Sequence, residues 1–205
     1  MTDVRRTVLS LMLLGDGHVG KTSMILNLTG NEFNDSQLTT VGKESYIYQT
    51  NIKGYNLKMK IWDTAGQERF RSMSVQVIKT SDAVILVYAV NDKNSFLALD
   101  TWISKIYDLV DISKKPIIIV GNKCDIEQSS REVSFQEGEQ YAGNKGYKFF
   151  ETSAKTGQGI LDAFTEIFNQ LYNIFEPEIT GQKKVDARGE VITSNKQKKK
   201  KKRCC

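Results

Sequence analysis

Residues 8–22 read Val8-Leu9-Ser10-Leu11-Met12-Leu13-Leu14-Gly15-Asp16-Gly17-His18-Val19-Gly20-Lys21-Thr22. A largely apolar run passes directly into a glycine-rich loop that ends on Lys-Thr. A strand covered on both faces reads as such a run, because neither side of its pleat meets water. The loop satisfies two phosphate-binding patterns at once. Gly15, Gly17 and Gly20 spell G-x-G-x-x-G, while Gly15, Gly20, Lys21 and Thr22 spell the P-loop G-x-x-x-x-G-K-[ST]. Lys21 and Thr22 decide for the second. Triphosphate chemistry needs an ammonium on the β- and γ-phosphates and a hydroxyl on Mg²⁺. Main-chain N–H groups of the loop and of the helix that follows cradle the anionic oxygens. The candidate phosphate-binding residues are therefore Gly15, Asp16, Gly17, His18, Val19, Gly20, Lys21, Thr22 and Ser23.

Outward from the loop, apolar runs alternate with amphipathic stretches, the mark of an α/β fold with a mostly parallel sheet. Strands are expected at Val8–Leu14, Ser45–Ile52, Leu57–Trp62, Ala83–Val90, Pro116–Gly121 and Lys148–Thr152. Only Lys53-Gly54-Tyr55-Asn56 separates the second from the third, so these two form an antiparallel hairpin. One helix starts at the glycine loop and carries Ile25 and Leu28. A second presents Leu99, Trp102, Ile103, Ile106, Leu109 and Val110 at spacings of three and four. A third, near 160–175, places Ile160, Phe164, Ile167, Phe168, Leu171 and Phe175 on one stripe. These aromatic stripes read as core. The expectation is a P-loop NTPase fold: a six-stranded sheet with one antiparallel strand and helices on both faces. The folded unit is expected to span 1–175, and 176–205, with no apolar period, to be a flexible tail.

Apolar residues make up 40% and charged residues 26% of the 205-residue chain, as in ordinary soluble globular proteins. The net charge of +5 belongs to the tail: seven basic residues lie between Lys196 and Arg203, which leaves −2 upstream. A nucleic-acid-binding domain spreads such charge over a folded face, so no nucleic-acid partner is expected. Cys124, Cys204 and Cys205 lack the spacing of a disulfide framework, which points to a reducing compartment. The apolar run after Arg5 and Arg6 imitates a signal peptide, but Gly15-Asp16-Gly17 stands in place of a cleavage site. No segment approaches the ~20 apolar residues of a membrane span. The chain is thus expected to be neither secreted nor membrane-spanning.

Three further stretches narrow the chemistry: Ile61-Trp62-Asp63-Thr64-Ala65-Gly66-Gln67-Glu68, Asn122-Lys123-Cys124-Asp125 and Ser153-Ala154-Lys155, each at the end of an expected strand. With the glycine loop, and in this order, they resemble the small GTPases of the Ras-like type over about residues 7–175. Trp62 to Arg71 (WDTAGQERFR) is most similar to Rab. The resemblance implies a role for each position. Asp63 and Thr40 join Thr22 around Mg²⁺, and the Gly66 amide meets the γ-phosphate. Gln67 orients the attacking water, with Lys21 stabilising charge on the transferred group. Asn122, Lys123 and Asp125 read the base, the Asp125 carboxylate accepting from guanine N1–H and the 2-amino group. Ser153, Ala154 and Lys155 complete that pocket, and Phe33 sets an aromatic edge against the base. The implied activity is slow hydrolysis of GTP to GDP and phosphate, dependent on an external activating protein.

The same resemblance implies a switch. Exchange factors, activating proteins, a GDP-dissociation inhibitor and effectors read switch I and switch II, and the protein works as a monomer in vesicle trafficking. Lys43, Ser45, Val77 and Ile78 depart from the residues usual in Rab, which fits either drift on an exposed face or altered choice of effector. His18 stands where the family carries a small residue, as a solvent-facing side chain or as one whose bulk loosens nucleotide or obstructs an activating protein's arginine. Cys204-Cys205 resembles the Rab ending that carries two geranylgeranyl groups. Two lipids and a basic stretch together anchor a protein stably, where one lipid binds only reversibly. The tail as a coil reaches roughly 30 Å. The expected place of action is the cytoplasmic face of an intracellular membrane, in exchange with cytosol. A GTP-binding membrane scaffold with negligible turnover is the alternative.

Overall fold

The structure is a computed structural model that describes residues 6–30, 43–64, 71–111 and 115–181, with the backbone alone for 43, 44 and 71–74. Phe33, Thr40, Gly66, Gln67, Cys204 and Cys205 lie outside the described residues, as does the Lys43 side chain.

Six strands form one sheet: β1 (Val8–Leu14), β2 (Lys43–Ile52), β3 (Tyr55–Thr64), β4 (Ala83–Ala89), β5 (Ile117–Asn122) and β6 (Lys148–Thr152). Their spatial order is β2-β3-β1-β4-β5-β6. Only the β2–β3 pair is antiparallel, as the short connection demanded. Its turn is tighter than expected, with Lys53 and Gly54 alone between paired strands. Both take positive φ, 48° and 86°. Two such residues match the twist of the flanking strands, which is why a two-residue hairpin favours them.

Alternation along β1 divides the interior in two. Leu9, Leu11 and Leu13 face one core with α1 (Lys21–Leu28) and α6 (Ile160–Thr180). Met12 and Leu14 face the other. That second core is covered by α2 (Arg71–Thr80), α3 (Lys93–Leu97), α4 (Leu99–Leu109) and α5 (Phe135–Asn144). Helices thus cover both faces of the sheet, as expected. The largest fully buried side chains include Phe164 of α6 and Tyr88 of β4. Truncating a buried aromatic of this kind costs about 3–5 kcal/mol.

Three expectations need correction. Val77 and Ile78 are not on an exposed face: both are buried, 1% and 2% exposed, in the second core. Their change from the family's usual residues is therefore a change in packing. The last helix does not end at Phe175. It runs to Thr180, because Ile179 returns to the core stripe. Pro177 deprives the helix of one main-chain donor; separately, the terminal Glu178 carbonyl takes a bond from the Arg6 N–H at 3.0 Å, and the Arg6 guanidinium lies 3.9 Å over the Phe175 ring. Gly181, at φ 73°, closes the helix with its N–H on the Pro177 carbonyl. Finally, Trp102 is only partly buried, and its indole N–H is used outside the core.

Candidate nucleotide-binding site

The glycine loop leaves β1 at the carboxyl end of the sheet, where ligands of open α/β folds bind. Gly15 turns the chain at φ 147°, and a Cβ there would lie 2.0 Å from the Val87 carbonyl oxygen. Gly20, at φ 95°, caps α1, and a Cβ would stand 2.3 Å from the Asn122 side-chain nitrogen. Gly17 meets nothing within 4 Å. Only the first and third glycines are thus required by packing. His18 takes the left-handed conformation, φ 61°, with its side chain exposed, which agrees with the solvent-facing expectation.

Lys21 opens α1 and is 5% exposed. Its ammonium donates to the Gly15 carbonyl at 2.9 Å and to the Asp16 carbonyl at 2.7 Å. Burial pulls its pKa down to about 8, opposed by the negative charges of Asp63 and Asp16. A buried ammonium whose neighbours offer carbonyls is well placed to take an anionic oxygen, which strengthens its charged form. One residue on, the Thr22 hydroxyl donates to the Asp63 carboxylate at 2.6 Å. Asp63 is fully buried near the end of β3. A hydroxyl beside a carboxylate offers the hard oxygens Mg²⁺ prefers, so the donor set fits that ion.

The stretches expected to read the base stand on β5 and β6. Asn122 ends β5, 1% exposed, and its amide donates to the Val19 carbonyl at 2.8 Å. Its side-chain oxygen accepts from the Thr152 hydroxyl and the Ala154 N–H, both at 3.1 Å. Asn122 therefore couples the phosphate loop to the Ser153-Ala154-Lys155 loop. Lys123 takes φ 68°, and the Cys124 N–H bonds the Thr152 carbonyl at 3.0 Å. Asp125 and Lys155 are exposed at the rim. Ser153 is buried, and its hydroxyl accepts the Thr156 N–H at 3.0 Å. From α1, Asn27 reaches the Ala154 carbonyl at 3.3 Å. Burial, reinforced by the Glu151 and Asp125 charges, raises the Cys124 thiol above its usual value, in keeping with a packing residue.

The fold thus brings together the phosphate loop, Asp63 and both base loops, contributed by β1, β3, β5 and β6. Three residues of the site were not foreseen: Asn27, Thr152 and Trp102. The Trp102 indole N–H, from α4, donates to the Asp16 carboxylate at 2.8 Å. Its position in an apolar stripe marked it as core, and a tertiary bond of this kind leaves no periodic signal.

Comparison with known proteins agrees with this geometry. The model of the Ras family matches residues 10–173. The chain is 39% identical to Ras-related protein Rab-21 of Mus musculus over 161 residues, 78% of this chain and 72% of that protein. It is 38% identical to Ras-related protein RABE1e of Arabidopsis thaliana over 160 residues, covering 78% and 73% of the two. It is 37% identical to GTP-binding protein ypt2 of Schizosaccharomyces pombe over 164 residues, covering 80% and 81%.

Proposed function

This chain belongs to the Ras family of small GTPases, in its Rab branch, and on that premise we propose how its residues run a GTP-dependent switch on a membrane. The observation that carries the reading is the convergence on Asn122, which ties the lysine-bearing phosphate loop to the base loops.

In this reading Lys21 and the loop N–H groups hold the β- and γ-phosphates, and Lys21 balances the charge that builds on the transferred phosphoryl. Thr22, Asp63 and Thr40 hold Mg²⁺, which neutralises phosphate charge when bound. Gln67 orients the attacking water, and the Gly66 N–H meets the γ-phosphate. Asp125 accepts two guanine donors that adenine lacks, with Asn122, Lys123, Ser153, Ala154, Lys155 and Phe33 around the base. Once a base covers this rim carboxylate, leaving it unsatisfied costs about 1–3 kcal/mol, which gives the preference its physical source. No arginine of the chain is assigned to the phosphate, so an activating protein supplies rate.

The output is conformational: switch segments order around the γ-phosphate and relax after hydrolysis, so partners distinguish the two states. Exchange factors, a GDP-dissociation inhibitor and effectors are the proposed readers, in vesicle trafficking. The polybasic tail with Cys204 and Cys205 is the proposed lipid anchor on the cytoplasmic face. Among the described residues no helix is long and apolar enough to cross a membrane.

Nucleotide competition tests the base assignment. GTP is expected to displace a fluorescent GDP from the full-length protein while ATP does not, and Asp125→Ala to abolish the difference. Equal displacement by ATP and GTP would remove guanine from the proposal.

A further inference from the structure

We propose that Trp102 is a positioning residue of the phosphate loop, which pins the Asp16 carboxylate away from the bound phosphates. Asp16 borders the cradle directly: its main-chain oxygen accepts the Lys21 ammonium at 2.7 Å. A carboxylate at this position is a like charge beside a polyanion. Aspartate side chains also readily capture main-chain N–H groups a few residues along the chain. Here those groups are the loop donors that the phosphates need. An untethered Asp16 therefore competes with the ligand in two ways, by repulsion and by occupying its donors.

The tether is the Trp102 indole N–H, 2.8 Å from Asp16 Oδ1, across 86 positions of sequence. Indole is donor-only, so it can hold a carboxylate and offers nothing to a phosphate-binding amide. The ring itself is held. It packs against the second core, whose members include Ile103 and Ile106 of α4, and the Lys105 ammonium lies 4.4 Å over its face. A charge-assisted bond from a fixed donor is among the stronger hydrogen bonds of a protein. The loop is thereby held at three points: Gly15 against the β4 backbone, Asp16 on α4, and Val19 on Asn122. The middle one alone governs a charge.

The proposal rests on the phosphate-cradle reading, and release of N-methylanthraniloyl-GDP from the full-length protein separates the two. Failure of the unaltered protein to bind this nucleotide overturns the cradle itself. With binding present, Trp102→Phe, which keeps an aromatic ring and removes the donor, is expected to release nucleotide about tenfold faster, in line with the loss of a hydrogen bond to a charged group. Adding Asp16→Ala removes both the charge and the acceptor oxygens and is expected to bring release back within about twofold of the unaltered protein, a rescue that simple ring repacking cannot produce. Unchanged release in Trp102→Phe, or equally fast release in the single and double variants, overturns the assignment. Should Trp102→Phe fail to fold, Trp102→benzothienylalanine keeps the bicyclic volume without the N–H, and the same two outcomes apply.

Discussion

Asn122 donates its side-chain amide to the Val19 carbonyl at 2.8 Å, joining two loops that lie 103 positions apart in sequence. The same side chain accepts from the Ala154 N–H, so base and phosphate elements share one buried amide. Removing it strands a carbonyl and an N–H in the interior, each costing about 1–3 kcal/mol. Asn122→Ala is expected to lower stability by about 2–6 kcal/mol on the same basis, and to speed GDP release strongly. Denaturant unfolding and nucleotide dissociation measure the two. Normal release from a destabilised protein would show that the bond serves the fold alone.

The three loop glycines are predicted to differ. Gly15→Ala puts a methyl 2.0 Å from a main-chain oxygen, and Gly20→Ala puts one 2.3 Å from the Asn122 amide, both at positive φ. Each is expected to abolish nucleotide binding. Gly17→Ala meets open space and is expected to change stability by less than about 1 kcal/mol. Thermal melts with and without GDP discriminate them.

His18 holds a left-handed conformation without being glycine. Such a residue carries roughly 1 kcal/mol of strain. His18→Gly is therefore expected to raise the melting temperature by about 2–4 °C for a domain of this size, and to slow GDP release if the strain loosens the loop. An unaltered melting temperature would show that the histidine is accommodated without cost.

Thr22 and Asp63 lie 2.6 Å apart and offer a hard-oxygen pair. Chelating Mg²⁺ with EDTA is expected to accelerate GDP release from the unaltered protein by at least about tenfold, and from Thr22→Ala by less than about twofold, because the ion stabilises only where it is held. An identical EDTA response in both would take Thr22 out of the ion's coordination.

Much of this was legible in the sequence because the relevant signals are local. β1 and β6 have the expected bounds, β1 because a buried strand between polar flanks announces itself. The glycine-rich turn between β1 and α1 was legible because the motif calls for a strand before it and a helix after it. Helix α2 was not anticipated: Val77 and Ile78 read as a partner surface, although the only difference between such a surface and a core is what packs on it. Helix α6 runs past Phe175 because Ile179 returns to its stripe beyond Pro177, where Arg6, far away in sequence, supplies a donor to the Glu178 carbonyl. The coupling through Asn122 and the Trp102–Asp16 bond were hidden for the same reason. Both rest on tertiary hydrogen bonds that no periodicity encodes.

Single-turnover hydrolysis of Mg²⁺-GTP by the full-length protein, beside Gln67→Leu, tests the central claim most directly. The account predicts slow conversion to GDP and phosphate in the unaltered protein and its collapse in the variant, with GTP binding retained in both. Tight GTP binding with no turnover in either protein would contradict it and leave a GTP-binding scaffold in place of a hydrolytic switch.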